Sequence, residues 1–121
     1  MRVNTAPRRK NSHRADETKR CPAFLQWLRG RQCAWSGCGS CGGKIIAQHL
    51  DFAGDKGTAT KVSDRYCLPC CVVHHQWQHD FGWNSFLSRQ HATKEMALNA
   101  AGRLWAAWPG RIAWERKLND G

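Results

Sequence analysis

The sequence predicts an α+β fold: a cysteine knuckle, a short strand, a polar loop, a second short strand and a helix, flanked by N-terminal and C-terminal helices. Three observations carry this reading. Three cysteines and four glycines crowd into residues 31–43. Two short apolar runs, Lys44 to His49 and Tyr66 to Leu68, have strand length and are separated by a polar stretch. Apolar residues recur at helical spacing before and after this block. At 121 residues the chain is long enough for one domain with a modest core.

The elements follow in order. Residues 1–13 are basic, contain Pro7 and lack apolar periodicity, so they are read as a disordered arm that tracks phosphates. Residues 14–121 form the single domain, with a metal core over about 31–82 and a helical segment over 83–118. A first helix runs from about Asp16 to Gly30, or from nearer Arg20, because Pro22 is tolerated only in a first turn. Its stripe is Phe24, Leu25, Trp27 and Leu28. Gly37, Gly39, Gly42 and Gly43 let the chain wrap closely around a small object. After the first strand, Gly54, Asp55, Lys56 and Gly57 are turn residues. Pro69 is expected to end the second strand, and Val72 to about Asp80 reads as a helix. A short helix over Trp83 to Gln90 follows. Thr93 then caps a longer one bearing Ala97, Ala101, Leu104 and Trp108. Pro109 and Gly110 break it before a last turn or two over Arg111 to Leu118. Trp105, Trp108 and Trp114 are read as packing residues.

Charge narrows the partner. Lys and Arg number 19 against 9 Asp and Glu, a net +10, half of it in the first twenty residues. Such an excess favours a polyanion, nucleic acid above all. No run approaches the ~20 apolar residues of a membrane span. No apolar segment follows the basic N-terminus, so no secretory signal is expected and the cytoplasm is the expected compartment. Seven cysteines in a reducing compartment point to metal-bound thiolates rather than disulfides. No membrane and no small-molecule cofactor are expected. Oligomeric state stays open, since the tryptophan-rich C-terminal segment suits either a core or a dimer face.

The densest chemistry lies in Cys67-Leu-Pro-Cys70-Cys71-Val-Val-His74-His75-Gln-Trp-Gln-His79. His75 and His79 are four residues apart, which on a helix puts both imidazoles on one face within reach of one ion. Cys71 and His74 have the spacing of a zinc half-site. Adjacent His74 and His75 must face different ways and take different roles. The other half-site is Cys38-Gly-Ser-Cys41, with Cys33 as a further candidate. Added to Cys71 and His74, these three cysteines are one ligand too many, so one of Cys33 and Cys38 is surplus. A rival pairing, Cys38, Cys41, Cys67 and Cys70, makes a plain zinc ribbon but leaves the histidines unexplained. A redox role for Cys67 and Cys70 lacks the surrounding framework it needs. His49 ends a strand before the polar loop, a position that presents a neutral imidazole to a substrate beside a metal.

Cysteine knuckle, strand ending in His49, loop, then Ser63-Asp64-Arg65-Tyr66-Cys67-Leu68-Pro69-Cys70-Cys71-x-x-His74-His75-x-x-x-His79: this pattern resembles the HNH nuclease superfamily. It is similar above all to small phage and prophage nucleases, including the recombination-enhancement type. The resemblance spans about Phe24 to Phe86. It implies a ββα-metal, treble-clef-like core and a metal-dependent DNA endonuclease working in the bacterial host cytoplasm. On that likeness His49 is the general base, and His75 and His79 hold a catalytic divalent ion (Mg²⁺, Mn²⁺, Ni²⁺ or Zn²⁺). A structural Zn²⁺ is held by Cys71, His74 and two of Cys33, Cys38 and Cys41. A non-catalytic zinc module that binds nucleic acid is the alternative. Two positions depart from the family pattern. Gln48 stands where a metal-binding His or Asp often precedes the base. Tyr66 stands near the Asn that orients it, a task left to Asp64 or a backbone carbonyl.

Overall fold

The computed structural model describes residues 19–53 and 62–120, apart from the side chain of Cys38. The basic arm over 1–13, Asp16 and Gly54 to Gly57 lie outside the described residues. Within them the chain is α+β, with one two-stranded antiparallel sheet and four α-helices.

Helix α1 spans Pro22–Arg29, with the proline in its first turn, where the missing N–H costs no hydrogen bond. Phe24 and Leu28, one turn apart, are fully buried. Gly30 closes the helix through its N–H to the Trp27 and Leu28 carbonyls. A single 3-10 turn, Ser36–Cys38, follows in the knuckle.

Strand β1 (Ile45–His49) pairs with β2 (Cys67–Cys71), with Ile45 opposite Cys71 and His49 opposite Cys67. Pro69 was expected to end the second strand; it lies at its centre, opposite Ala47. The reason is its side of the ladder. The Pro69 carbonyl accepts from the Ala34 N–H at 2.8 Å, away from β1. Carbonyl and nitrogen of one strand residue point the same way, so the missing N–H faces outward and no ladder bond is lost.

Helix α2 (Val72–Arg89) starts at once after β2, so Cys71 is both the last strand residue and the helix N-cap. The two helices expected over Val72–Asp80 and Trp83–Gln90 are halves of this element, kinked at Gly82, whose φ of +81° suits glycine. Helix α3 (Lys94–Ala107) is capped as expected by Thr93, whose hydroxyl accepts from the Met96 N–H at 3.1 Å. Helix α4 (Arg111–Asp120) follows the break at Pro109 and Gly110.

Two apolar clusters flank the sheet. Trp35, Leu50, Leu68, Phe86, Leu87 and Ala101 form one. Phe24, Leu28, Cys67, Trp105 and Trp108 form the other. Trp105 and Trp108 are buried as expected, and Trp114 packs partly buried against them. No described helix is long and apolar enough to cross a membrane.

Candidate metal centre

The strand-to-helix junction gathers four donor groups. The sulfurs of Cys33, Cys41 and Cys71 and a ring nitrogen of His74 all lie within 4.8 Å of one another. Cys71 and His74 come from the first turn of α2, and Cys33 and Cys41 from the two ends of the knuckle. Gly43 makes the approach possible: its φ is +79°, and a Cβ there would lie 2.1 Å from Val72.

Nδ1 of His74 is 3.2 Å from the Cys71 sulfur, 3.6 Å from Cys41 and 3.7 Å from Cys33. Tetrahedral zinc with ordinary Zn–S and Zn–N bonds requires S···N separations of about 3.6 Å. Four backbone N–H groups donate to two of the sulfurs. Trp35 and Cys71 donate to Cys33 at 3.4 and 3.3 Å, and Gly42 and His74 to Cys71, both at 3.4 Å. That environment suits thiolates. Burial pushes the Cys71 thiol up, but the His74 and Gly42 N–H groups outweigh it and hold it at about 6. Desolvation and the neighbouring Cys33 and Cys71 sulfurs push Cys41 up to about 12. Three thiolates this close repel one another unless a cation lies among them. The residues therefore fit a closed Cys₃His zinc site.

Cys33 is thus one of the four donors, while the side chain of Cys38 lies outside the described residues. The ribbon pairing fails at Cys67 and Cys70, which are absent from the cluster. Cys67 is four strand residues from Cys71 and buried beside Phe24 and Trp105. Cys70 is buried, with its thiol donating to the Cys71 carbonyl at 3.3 Å. Burial raises both thiols above their ordinary value, the opposite of a reactive redox pair.

His74 and His75 do take different faces. His74 is fully buried against Trp77 and Phe86, while His75 is partly exposed. The Nε2 atoms of His75 and exposed His79 are 3.1 Å apart. Two imidazoles bound side by side on one divalent ion stand about 3.0–3.4 Å apart. Burial and neighbouring His79 push His75 down, which favours the neutral, ligating form. Among the described residues no third His, Cys, Asp or Glu donor joins this pair within 4.8 Å. Gln48 does not supply one. It is buried, and its Oε1 accepts from the Trp35 indole at 3.0 Å.

His49, at the end of β1, is half-exposed, and its Nε2 lies 2.9 Å from Asp64 Oδ1. The other Asp64 oxygen accepts from the Cys21 N–H at 2.6 Å. Burial raises the Asp64 carboxyl, but His49, the Cys21 N–H and then the charge of Arg20 outweigh it and hold it below its ordinary value. The Asp64 side chain, one of the two partners expected for His49, is in contact with it. Two features had no sequence signal. The Cys21 N–H fixes Asp64 from 43 residues away. Asp51 accepts from the Trp83 indole at 3.4 Å and acts electrostatically on His75.

Comparison with known proteins finds no matching family model, no matching curated protein and no matching solved structure. The class defined here is thus an α+β domain with a Cys₃His cluster able to hold a metal such as zinc.

Proposed function

We propose that the chain is a metal-dependent DNA endonuclease of the HNH kind, with a ββα core built on β1, β2 and α2. The observation that carries this reading is the His49–Asp64 pair at the end of β1. Asp64 engages Nε2 of His49, which leaves Nδ1 as the ring nitrogen open to a water. Nδ1 takes the proton of that water as its oxygen attacks phosphorus and the 3′ oxygen leaves. Asp64 fixes the tautomer and stabilises the imidazolium that forms. His75 and His79 would hold a divalent ion, whose charge would stabilise the phosphoryl and leaving oxygens. The Cys₃His cluster is structural. All four of its donors come from the protein, so no position stays open for substrate. The chain's net charge of +10 supports a phosphate partner.

A second reading, a zinc module that binds nucleic acid without cutting it, is favoured by one observation. Gln48 is turned into the core, so among the described residues the second metal site has two protein donors, His75 and His79. The two readings separate in one experiment. Zinc-loaded protein is incubated with supercoiled plasmid and Mg²⁺, Mn²⁺ or Ni²⁺. Nicked circles that depend on the added ion support the nuclease. Salt-sensitive retardation of DNA without nicking under any ion supports the binding module.

A further inference from the structure

We propose that a cavity beside the His49–Asp64 pair is a base-binding subsite, which seats one unstacked nucleobase of a single strand on the guanidinium of Arg65. The proposal rests on the nuclease reading only for its claim that the subsite flanks the cut.

The cavity measures about 270 Å³ and is lined by Ser63, Arg65, Tyr66, Trp105, Trp114 and Glu115, among others. That is just below the usual range for ligand sites, about 300–1,000 Å³, and suits one base rather than a longer segment. Its position is fixed by Asp64. One oxygen of this carboxylate holds His49, and the other holds the backbone of Cys21, which also lines the cavity. Ser63 and Arg65, the chain neighbours of Asp64, line the cavity, and His49 and Asp64 themselves do not.

The lining matches a base better than a phosphate. The Arg65 guanidinium lies 5.3 Å from the centre of the Trp105 ring and 5.7 Å from that of Tyr66. Trp105 is itself buried, so its ring backs the guanidinium rather than offering an open face. Arg65 is exposed and presents a flat, cationic plane of the type on which unpaired bases stack. Glu115 supplies the polar partner. Its carboxylate is held by the Trp105 indole at 3.3 Å and by Arg111 at 3.0 Å, which leaves acceptor positions free for a base N–H. Lys19 also lines the cavity; the Glu115 carboxylate, paired with Arg111, can accept from a base amino group but offers no donor to a phosphate. A duplex keeps its bases stacked, so the subsite discriminates for single strands, frayed ends or flaps.

The experiment uses full-length, zinc-loaded His49→Ala protein, which removes cleavage from the measurement. Its affinity for a fluorescein-labelled single-stranded 12-mer and for the matching duplex is measured without added divalent ion. Adding Arg65→Ala is expected to weaken single-strand binding about tenfold and to change duplex binding far less. Arg65→Lys keeps the charge and loses the plane, so it is expected to fall with Arg65→Ala on the single strand. It also covers the case in which the alanine variant fails to fold, as judged by zinc content and circular dichroism. Single-strand affinity within twofold of the parent in both variants overturns the proposal. So does full recovery by Arg65→Lys, which would make Arg65 a simple phosphate contact. Because binding is read without cutting, absence of nicking by the wild type would count against the nuclease and not against the subsite.

Discussion

Replacing Cys71 by Ala should unfold the domain, whereas Cys67→Ala should not. Cys71 has three roles: its sulfur belongs to the four-donor cluster, it caps α2, and it ends β2. A structural zinc contributes about 10–16 kcal/mol of binding free energy at neutral pH. The net stability of a domain is about 5–15 kcal/mol, so losing the ion removes most or all of it. The lost helix cap adds about 0.5–2 kcal/mol. Cys67 is equally buried but lies outside the four-donor cluster, in the apolar cluster with Phe24 and Trp105. Deleting its sulfur should cost about 1–2 kcal/mol, as for the loss of one buried methyl-sized group. The assay is zinc stoichiometry by mass spectrometry together with thermal melting by near-ultraviolet circular dichroism. The expected results are one zinc and a Tm lowered by about 4–10 °C for Cys67→Ala. Cys71→Ala should show no tightly held zinc and no cooperative transition. One retained zinc and a near-native Tm in Cys71→Ala would refute the ligand assignment. Loss of zinc in Cys67→Ala would revive the ribbon pairing.

Three further predictions follow from the same geometry. Asp64 is held below its ordinary pKa in the folded state, so its contribution to stability is complete above about pH 4 and is lost as pH falls through the lowered value. Wild type should therefore keep its stability advantage over Asp64→Asn down to about pH 4 and lose it as pH falls further, and denaturation curves that stay parallel below about pH 4 would contradict the pairing with His49. In calorimetric titrations with Ni²⁺ or Co²⁺, the zinc-loaded wild type is expected to show a second, weaker binding event and His79→Ala to lack it while keeping one zinc; a second event unchanged in the variant would remove His75 and His79 from the metal site. Phe24 is fully buried against Trp105 at 5.0 Å and Trp108 at 5.5 Å, so Phe24→Ala should cost about 3–5 kcal/mol in urea denaturation without loss of zinc. A cost below about 1 kcal/mol would mean that α1 is not packed as described.

How much of this was legible in the sequence depends on the range of the contact involved. The His75–His79 pair follows from the four-residue spacing alone, and the opposite placement of His74 from its adjacency to His75. The Thr93 cap is equally local. That Cys33 joins the cluster was not legible, because its spacing and that of Cys38 both fit a knuckle. It depends on the path of the chain between Arg31 and Gly43, which brings the Cys33 sulfur under the N–H of Cys71. Pro69 misled because its cost depends on which side of the strand its nitrogen faces, a property of register rather than of composition. Asp64 could be named only as one of two options, since its contact with His49 closes across the loop between the strands. The anchoring of Asp64 by the Cys21 N–H carried no signal, because backbone groups look alike in every sequence.

The nuclease proposal depends most directly on His49. The decisive measurement is the single-turnover rate of plasmid nicking by wild type and His49→Ala, each with one zinc per chain and saturating Mn²⁺. The account predicts metal-dependent nicking by the wild type and a rate lower by about 10²–10⁴-fold in the variant, with zinc content and melting unchanged. Equal rates in the two proteins would contradict His49 as the base. No nicking by either, with DNA still bound, would contradict the nuclease itself.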